Sequence, residues 1–422
     1  MISLKQIDKN SKRLQAHADG ALVGMPSQQR VLWMAMFSPG LEGRRGLPYV
    51  LVAEPGTAKT SSMKWLARKA SLPFWSVLGS IRQPVDFMGC PVPQRRKLTK
   101  FDQHLSPDGD DEFLFMHYAP AGFAVQAATA KNGVMLFDEA NNMPPAVQSA
   151  MLRVLFEGVV GELELPPGIR MFLATNSIED AAGGWDISPA MANRMGWIEW
   201  EGVSVERRNA YAAASGGRGM AKTKIEPIDY AEEEAKVDAL WDNAWAQATM
   251  LVSGFLTRRG ELLHKKPKDA SKAWPSARTW DLMEHALAGS FIYDLSGVER
   301  QIACSAYIGS AAYSEFYAYA KDADLPDPAV LLDGNVMFDH NPGRLDRTAA
   351  VLSGCLSVVL REQQQNRVDA LWSILNELPE SALDVTVPTV VQLAQGNMMV
   401  GSPVAYQVFA KIDPIVNAAR MD

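Results

Sequence analysis

Short apolar runs alternate with amphipathic helical patterns over the first 200 residues, which is how a parallel sheet flanked by helices is written in sequence. Four runs, Tyr49–Ala53, Phe74–Leu78, Val134–Phe137 and Met171–Thr175, are predicted to be strands. Each is short and apolar without clean alternation, as expected of strands covered on both faces. Between the third and fourth, Pro144-Pro145 opens a predicted helix. Its Val147, Ala150, Met151, Val154 and Leu155 fall at i, i+3, i+4, i+7 and i+8, and Gly158 closes it. Past the Gly-rich polar stretch Ala214–Pro227 almost everything reads as helix. Segments 240–265, 278–290, 300–320, 347–363, 366–378 and 387–396 are predicted, broken at Lys265–Lys272 and Asp322–Pro328. The chain is expected to hold an α/β part followed by a helical part.

Composition narrows the class. A chain of 422 residues with 47% apolar side chains is long enough for two or three domains, and disorder, collagen-like repeats and a disulfide scaffold are excluded. Residues 1–200 carry 20 basic and 19 acidic side chains, residues 201–422 carry 21 and 29, and neither half is basic enough to advertise a nucleic-acid face. Cys90, Cys304 and Cys355 lie far apart with no C-x-x-C pair, and are expected to be buried thiols in a reducing compartment. The N-terminus lacks an apolar signal core, and no stretch reaches the ~20 apolar residues of a bilayer span. A cytoplasmic protein without a membrane partner is the expectation.

Chemistry concentrates at three strand ends. The strand Tyr49–Ala53 runs into Glu54-Pro55-Gly56-Thr57-Ala58-Lys59-Thr60 and then into a helical pattern with Met63, Leu66, Ala67 and Ala70 on one face. This is the layout of a phosphate-binding loop: backbone N–H groups and the macrodipole at a helix N-terminus favour an anion. Lys59 would reach the β- and γ-phosphates and the Thr60 hydroxyl would hold Mg²⁺. Ala53 and Ala58 stand where the G-x-x-x-x-G-K-[ST] pattern has glycine. The strand Val134–Phe137 ends in Asp138-Glu139, an acidic pair that is costly beside a buried strand without a task. Asp138 can serve the magnesium shell and Glu139 can deprotonate the attacking water. Asn176, closing the next strand, could hydrogen-bond both the γ-phosphate and that water. Downstream, Ser188-Pro189-Ala190-Met191-Ala192-Asn193-Arg194 reads as a capped short helix whose arginine could stabilise phosphoryl charge from a neighbouring subunit.

These segments resemble the AAA+ ATPases, and more narrowly their MoxR-like and dynein-related branch. AEPGTAKT is similar to that branch's phosphate loop, FDEANNMPPAVQSAMLRVLFEG to its acidic-pair strand and helix, ATN to its first sensor and SPAMANRM to its arginine-finger segment. Trp274-Pro275-Ser276-Ala277-Arg278-Thr279-Trp280 resembles the opening of a lid helix carrying a second sensor, which implies a nucleotide-facing role for Arg278. The likeness runs over residues 20–300. It implies a P-loop core over 1–210, a linker over 211–240, a helical lid over 241–312 and an added helical region over 313–422. It further implies ATP and Mg²⁺ held by Glu54, Pro55, Gly56, Thr57, Ala58, Lys59, Thr60 and Ser61 with Asp138, a homo-oligomeric ring, typically a hexamer, and a protein client. In this branch a von Willebrand factor A domain protein is a frequent partner. Inserts Gly89–His117, with basic Arg95-Arg96-Lys97 and an acidic tip Asp108–Glu112, and Val159–Pro167 would face the ring centre or a partner, or be solvated hairpins.

A nucleic-acid-dependent motor or loader on the same core, and a switch that binds ATP with little hydrolysis, are the alternatives. Glu261-Leu262-Leu263-His264 has the spacing of a di-iron helix, but such sites need two copies, and the stretch is read as lid helix.

Overall fold

Nine strands and sixteen α-helices are assigned among the described residues of the computed structural model, which are Leu4, 25–97, 99, 112–176, 184–215, 226–268, 272–321, 323–399 and 402–418. In chain order the strands are β1 (Tyr49–Val52), β2 (Phe74–Leu78), β3 (Cys90–Lys97), β4 (Glu112–Ala119), β5 (Asn132–Asp138), β6 (Val159–Val160), β7 (Leu163–Glu164), β8 (Gly168–Thr175) and β9 (Gly196–Glu199). Five of them make an all-parallel sheet in the order β2-β5-β8-β1-β9. This is the α/β fold the apolar runs predict, a parallel sheet flanked by helices and followed by a helical region.

The sheet belongs to an α/β unit, Pro39–Tyr230 with Asp269–Lys272; the second unit is helical and comprises Met1–Ser38, Ala231–Lys268 and Ala273–Asp422. The central strands β1, β5 and β8 are buried almost throughout, with Val50, Leu51, Val134–Phe137 and Phe172–Ala174 at the centre of the core. The helix Lys59–Lys69 buries Met63, Leu66 and Ala67, and Pro145–Glu157 buries Val147, Ala150, Met151, Val154 and Leu155, the faces that the helical spacing marks. Gly158 ends the latter helix at φ 66, a left-handed position suited to glycine.

Several expectations are corrected. The fifth strand, β9, was not predicted: four residues, Gly-Trp-Ile-Glu, carry too little pattern to separate from a loop. The first and third predicted strands are not neighbours: β8 lies between them and pairs with both. The helix predicted over 300–320 is two, Gly297–Ile308 and Ser310–Lys321, broken where Gly309 takes φ 80. The helix predicted over 240–265 starts at Tyr230 and stops at Arg258, so Glu261 and His264 lie past its end and Glu261 pairs instead with Arg259 at 2.5 Å. Residues 230–240, assigned to a linker, are its first turns. Helices Pro328–Leu332 and Pro403–Ala418 were not predicted. Of the glycine-rich stretch Ala214–Pro227, residues 216–225 lie outside the described part, as does the acidic tip apart from Glu112. Cys90 is exposed, whereas Cys304 and Cys355 are buried and burial pushes each thiol up to about 12.

The helical unit gathers its N-terminal helix Ser27–Phe37 through chemistry that a sequence boundary does not reveal. Trp33 Nε1 donates to the buried Glu233 carboxylate at 3.1 Å, Tyr293 donates to the same oxygen at 3.0 Å, and Arg30 pairs with Glu299 at 3.1 Å. No helix among the described residues is long and apolar enough to cross a membrane.

The two inserts form ribbons. β3 and β4 pair antiparallel, Cys90 opposite Ala119 through Lys97 opposite Glu112, and β6 and β7 make a shorter hairpin. They are fastened together: Glu162 accepts from the Tyr118 N–H at 3.1 Å and meets His117 Nδ1 at 2.6 Å, and Gly161 donates to the Phe87 carbonyl at 3.1 Å.

Candidate active site

Parallel strands place all their C-terminal ends on one sheet edge, and the register aligns the chemistry there. Val52 lies opposite Thr175 and Leu78 opposite Asp138, so the loop after β1, Asn176 after β8 and Asp138-Glu139 at the end of β5 share that edge. With β8 in the middle, Asn176 stands between the lysine loop and the acidic pair.

The loop turns sharply at Gly56, φ 81, where an added Cβ would meet nothing within 4 Å, so the crest is open. Ala58 takes φ 65 and ψ 27, the left-handed conformation that hands the chain into the helix starting at Lys59. Ala53 is not among the positive-φ residues, so its Cβ costs nothing there; its N–H donates to Thr175 O at 3.3 Å. The Lys59 ammonium has three donors. They reach the carbonyls of Ala53 and Glu54, at 2.8 and 3.2 Å, and Asn176 Oδ1 at 3.2 Å. A charge that is only 7% exposed is tolerable because every donor has a partner.

The second convergence joins the loop to the acidic pair. Thr60 Oγ1 donates to Asp138 Oδ2 at 2.5 Å across 78 residues of chain. Glu139 sits at φ 58 and ψ 45, its N–H donates to Asp138 Oδ1 at 3.0 Å, and its Oε2 accepts from Asn142 Nδ2 at 3.4 Å. A glutamate in left-handed backbone is a local strain of ~1–3 kcal/mol, of the kind held where function needs a side chain aimed off the regular strand path.

Three residues that sequence patterns did not single out support the site. Trp200, just past β9, donates its backbone N–H to Val52 O at 2.7 Å and its indole N–H to Thr57 O at 3.1 Å, and so grips the loop at both ends. Asn141 is buried; its Oδ1 accepts the Asn176 N–H at 3.3 Å and its carbonyl accepts from Trp185 N at 2.7 Å. Gln148, 1% exposed, donates to the carbonyls of Met143 and Asp186, each at 3.1 Å, and accepts from Ser188 N at 3.0 Å. The paired amides Asn141-Asn142, one residue past the acidic pair, were the visible signal for Asn141; Trp200 and Gln148 looked like ordinary core residues.

Arg194 follows the short helix Pro189–Ala192, which Ser188 caps by accepting from Met191 N at 3.3 Å. Its guanidinium lies 5.2 Å from the Phe156 ring and donates to Ala190 O at 2.8 Å. Arg278 belongs to the helical unit, exposed on the first turn of the helix Ala277–Ile292. Thr57 and Ala58 are half-buried, and Glu54, Pro55, Gly56 and Ser61 are exposed along the loop and the first helical turn.

The residues fit a nucleotide and its cation. Magnesium takes oxygen ligands and keeps waters and phosphate oxygens, so a hydroxyl and a carboxylate meeting at 2.5 Å are a suitable protein share. Among the described residues there is no cluster of three or more His, Cys, Asp or Glu able to cage a metal by themselves. The first-turn N–H groups after Ala58 have no intrahelical acceptor, and these are the groups that would receive a phosphate.

No protein-family model matches this chain, and no curated protein matches it in sequence. Among solved structures it is similar to a protein of Cytophaga hutchinsonii provisionally named an ATPase, at 15% identity and a TM-score of 0.45, over 76% of this chain and 96% of that one.

Proposed function

We propose that the protein hydrolyses ATP, ATP + H₂O → ADP + phosphate, as an AAA+ ATPase of the MoxR-like, dynein-related kind. The observation that carries this is the double convergence at one sheet edge, Thr60 on Asp138 at 2.5 Å and Lys59 on Asn176 at 3.2 Å. Lys59 would exchange its loop carbonyls for the β- and γ-phosphate oxygens, and Thr60 and Asp138 would hold Mg²⁺, which when bound supplies charge neutralisation. Glu139 would take the proton of the attacking water, and Asn176 would orient that water. Arg194 would act on the site of the next subunit in a homo-oligomeric ring, taken as a hexamer from the family resemblance, with Arg278 contributing from the lid. The coupled output is remodelling of a protein client, with a von Willebrand factor A domain protein as the expected partner class. The fastened ribbons, with Leu114, Met116 and Tyr118 exposed beside Arg95, supply a surface of suitable character for a client.

The test separates binding from chemistry. Lys59→Ala is expected to lose binding of a fluorescent ATP analogue. Glu139→Gln should bind it normally and lose about 10²–10⁴-fold in phosphate release. Normal affinity in the first variant or normal turnover in the second would remove the corresponding assignment. Stimulation of turnover by DNA or RNA with a steep salt dependence would favour a nucleic-acid motor on the same core.

A further inference from the structure

The Gln148 amide spends both of its donors and its oxygen on tying separate stretches of backbone together. Its Nε2 donates to Met143 O and to Asp186 O, each at 3.1 Å, and its Oε1 accepts from Ser188 N at 3.0 Å, the last two partners lying 38 and 40 residues away in the chain. With Trp185 N on Asn141 O at 2.7 Å, these bonds lay residues 185–188 along the loop that follows Glu139. An amide only 1% exposed is costly unless its bonds are made, and an apolar side chain of the same bulk would fill the space without that cost. What the amide adds is a single fixed register between the two stretches.

That register leads to Arg194. Ser188 is gripped by Gln148 through its N–H, while its Oγ caps the short helix Pro189–Ala192 by accepting from Met191 N at 3.3 Å. Met191 and Ala192 are fully buried, which seats this helix against the core. Arg194 follows, its guanidinium 5.2 Å from the Phe156 ring and donating to Ala190 O at 2.8 Å. Gln148 and Phe156 stand on one helix, Pro145–Glu157, roughly 12 Å apart along its axis. The arginine segment is therefore held at its start and at its end by the same rigid element, and that element follows Glu139 after the single turn Ala140–Asn142.

We propose that Gln148 is a positioning residue for Arg194: through the Ser188 N–H it sets where the arginine stands as it meets the neighbouring subunit's site. The inference rests on the ATPase reading above, with Arg194 acting in trans. Gln148 is closed to solvent and acts through the backbone it holds. A guanidinium aimed at a phosphoryl group is sensitive to such placement, since a shift of about 1 Å costs up to about 10²-fold in rate.

Mixed assemblies of the full chain test this, with one kind of subunit able only to hydrolyse and the other able only to lend its arginine. Arg194→Ala subunits keep Glu139 and lack the arginine; Glu139→Gln subunits keep the arginine and lack the base. Phosphate release by the mixture therefore reports the donated Arg194. Gln148→Met, close to glutamine in length and bulk, is added to one kind of subunit at a time. In the donor it is expected to lower the rescued kcat about 10–100-fold with KM for ATP unchanged, and in the hydrolysing subunit to cost no more than about twofold. An equal loss on both sides, which is what a packing role gives, or no loss on the donor side overturns the proposal and leaves the trans arginine standing. No phosphate release by the mixture with Gln148 intact overturns the trans reading and the proposal with it. Circular dichroism checks folding. Gln148→Glu, which keeps the shape and turns an acceptor toward two carbonyls, should give the same donor-side loss and carries the test should Gln148→Met misfold.

Discussion

Ala58 and Ala53 stand at the two positions where a phosphate loop ordinarily has glycine, and the structure treats them differently. Ala53 keeps negative φ, so its methyl is free of strain; Ala58 takes φ 65 and bears a cost of ~1–2 kcal/mol for a Cβ in left-handed backbone. Trp200 grips the loop from outside, its indole N–H on Thr57 O at 3.1 Å, and helps to hold this shape. Trp200→Phe keeps the ring and removes the N–H. The loss of one hydrogen bond, ~1 kcal/mol, should raise KM for ATP about fivefold with kcat little changed, and steady-state phosphate release reads that split. A comparable fall in kcat would instead make Trp200 part of the chemistry. Lys59, Thr60, Asp138 and Glu139 were legible in sequence because each follows a short apolar run at a recognisable spacing. Trp200 was not, because its role depends on which strand ends beside the loop.

Elements were read well where periodicity or a cap marked them. The helix Ala277–Ile292 starts at Ser276, whose Oγ accepts from Thr279 N at 3.3 Å while Thr279 Oγ1 accepts from Ser276 N at 2.8 Å, a reciprocal cap. Ser276→Ala should cost about 1 kcal/mol of unfolding free energy, seen as a lower urea midpoint with unchanged slope, and Ser276→Thr should restore most of it. Where pattern was thin, elements were missed or merged. β9 has four residues, and the helix predicted over 300–320 breaks at Gly309, where the flanking apolar pattern gives no warning. The two insert ribbons read as independent hairpins in sequence. Their joining through Glu162 is a contact across 44 residues that no local pattern encodes.

At the scale of the whole molecule the issue is assembly. Arg194 stacks on Phe156 within its own chain, and the proposed function requires it to serve a neighbour. Arg194→Ala is expected to lose about 10³–10⁵-fold in turnover as a pure ring. Mixed with Glu139→Gln subunits, which retain Arg194, it should regain measurable phosphate release. Failure of that rescue would remove the trans role while leaving the phosphate loop assignment intact.

The amino-acid sequence, taken alone, determined the fold class and the chemical vocabulary of the site, because strand and helix periodicities and the loop of Lys59 are local properties of a few consecutive residues. The order of the strands, the insertion of β8 between the lysine loop and the acidic pair and the grip of Trp200 were decided only when the chain packed. Each depends on residues far apart in sequence being brought within hydrogen-bonding distance, and the free energy that selects such contacts is that of burying the whole core, which no short window contains.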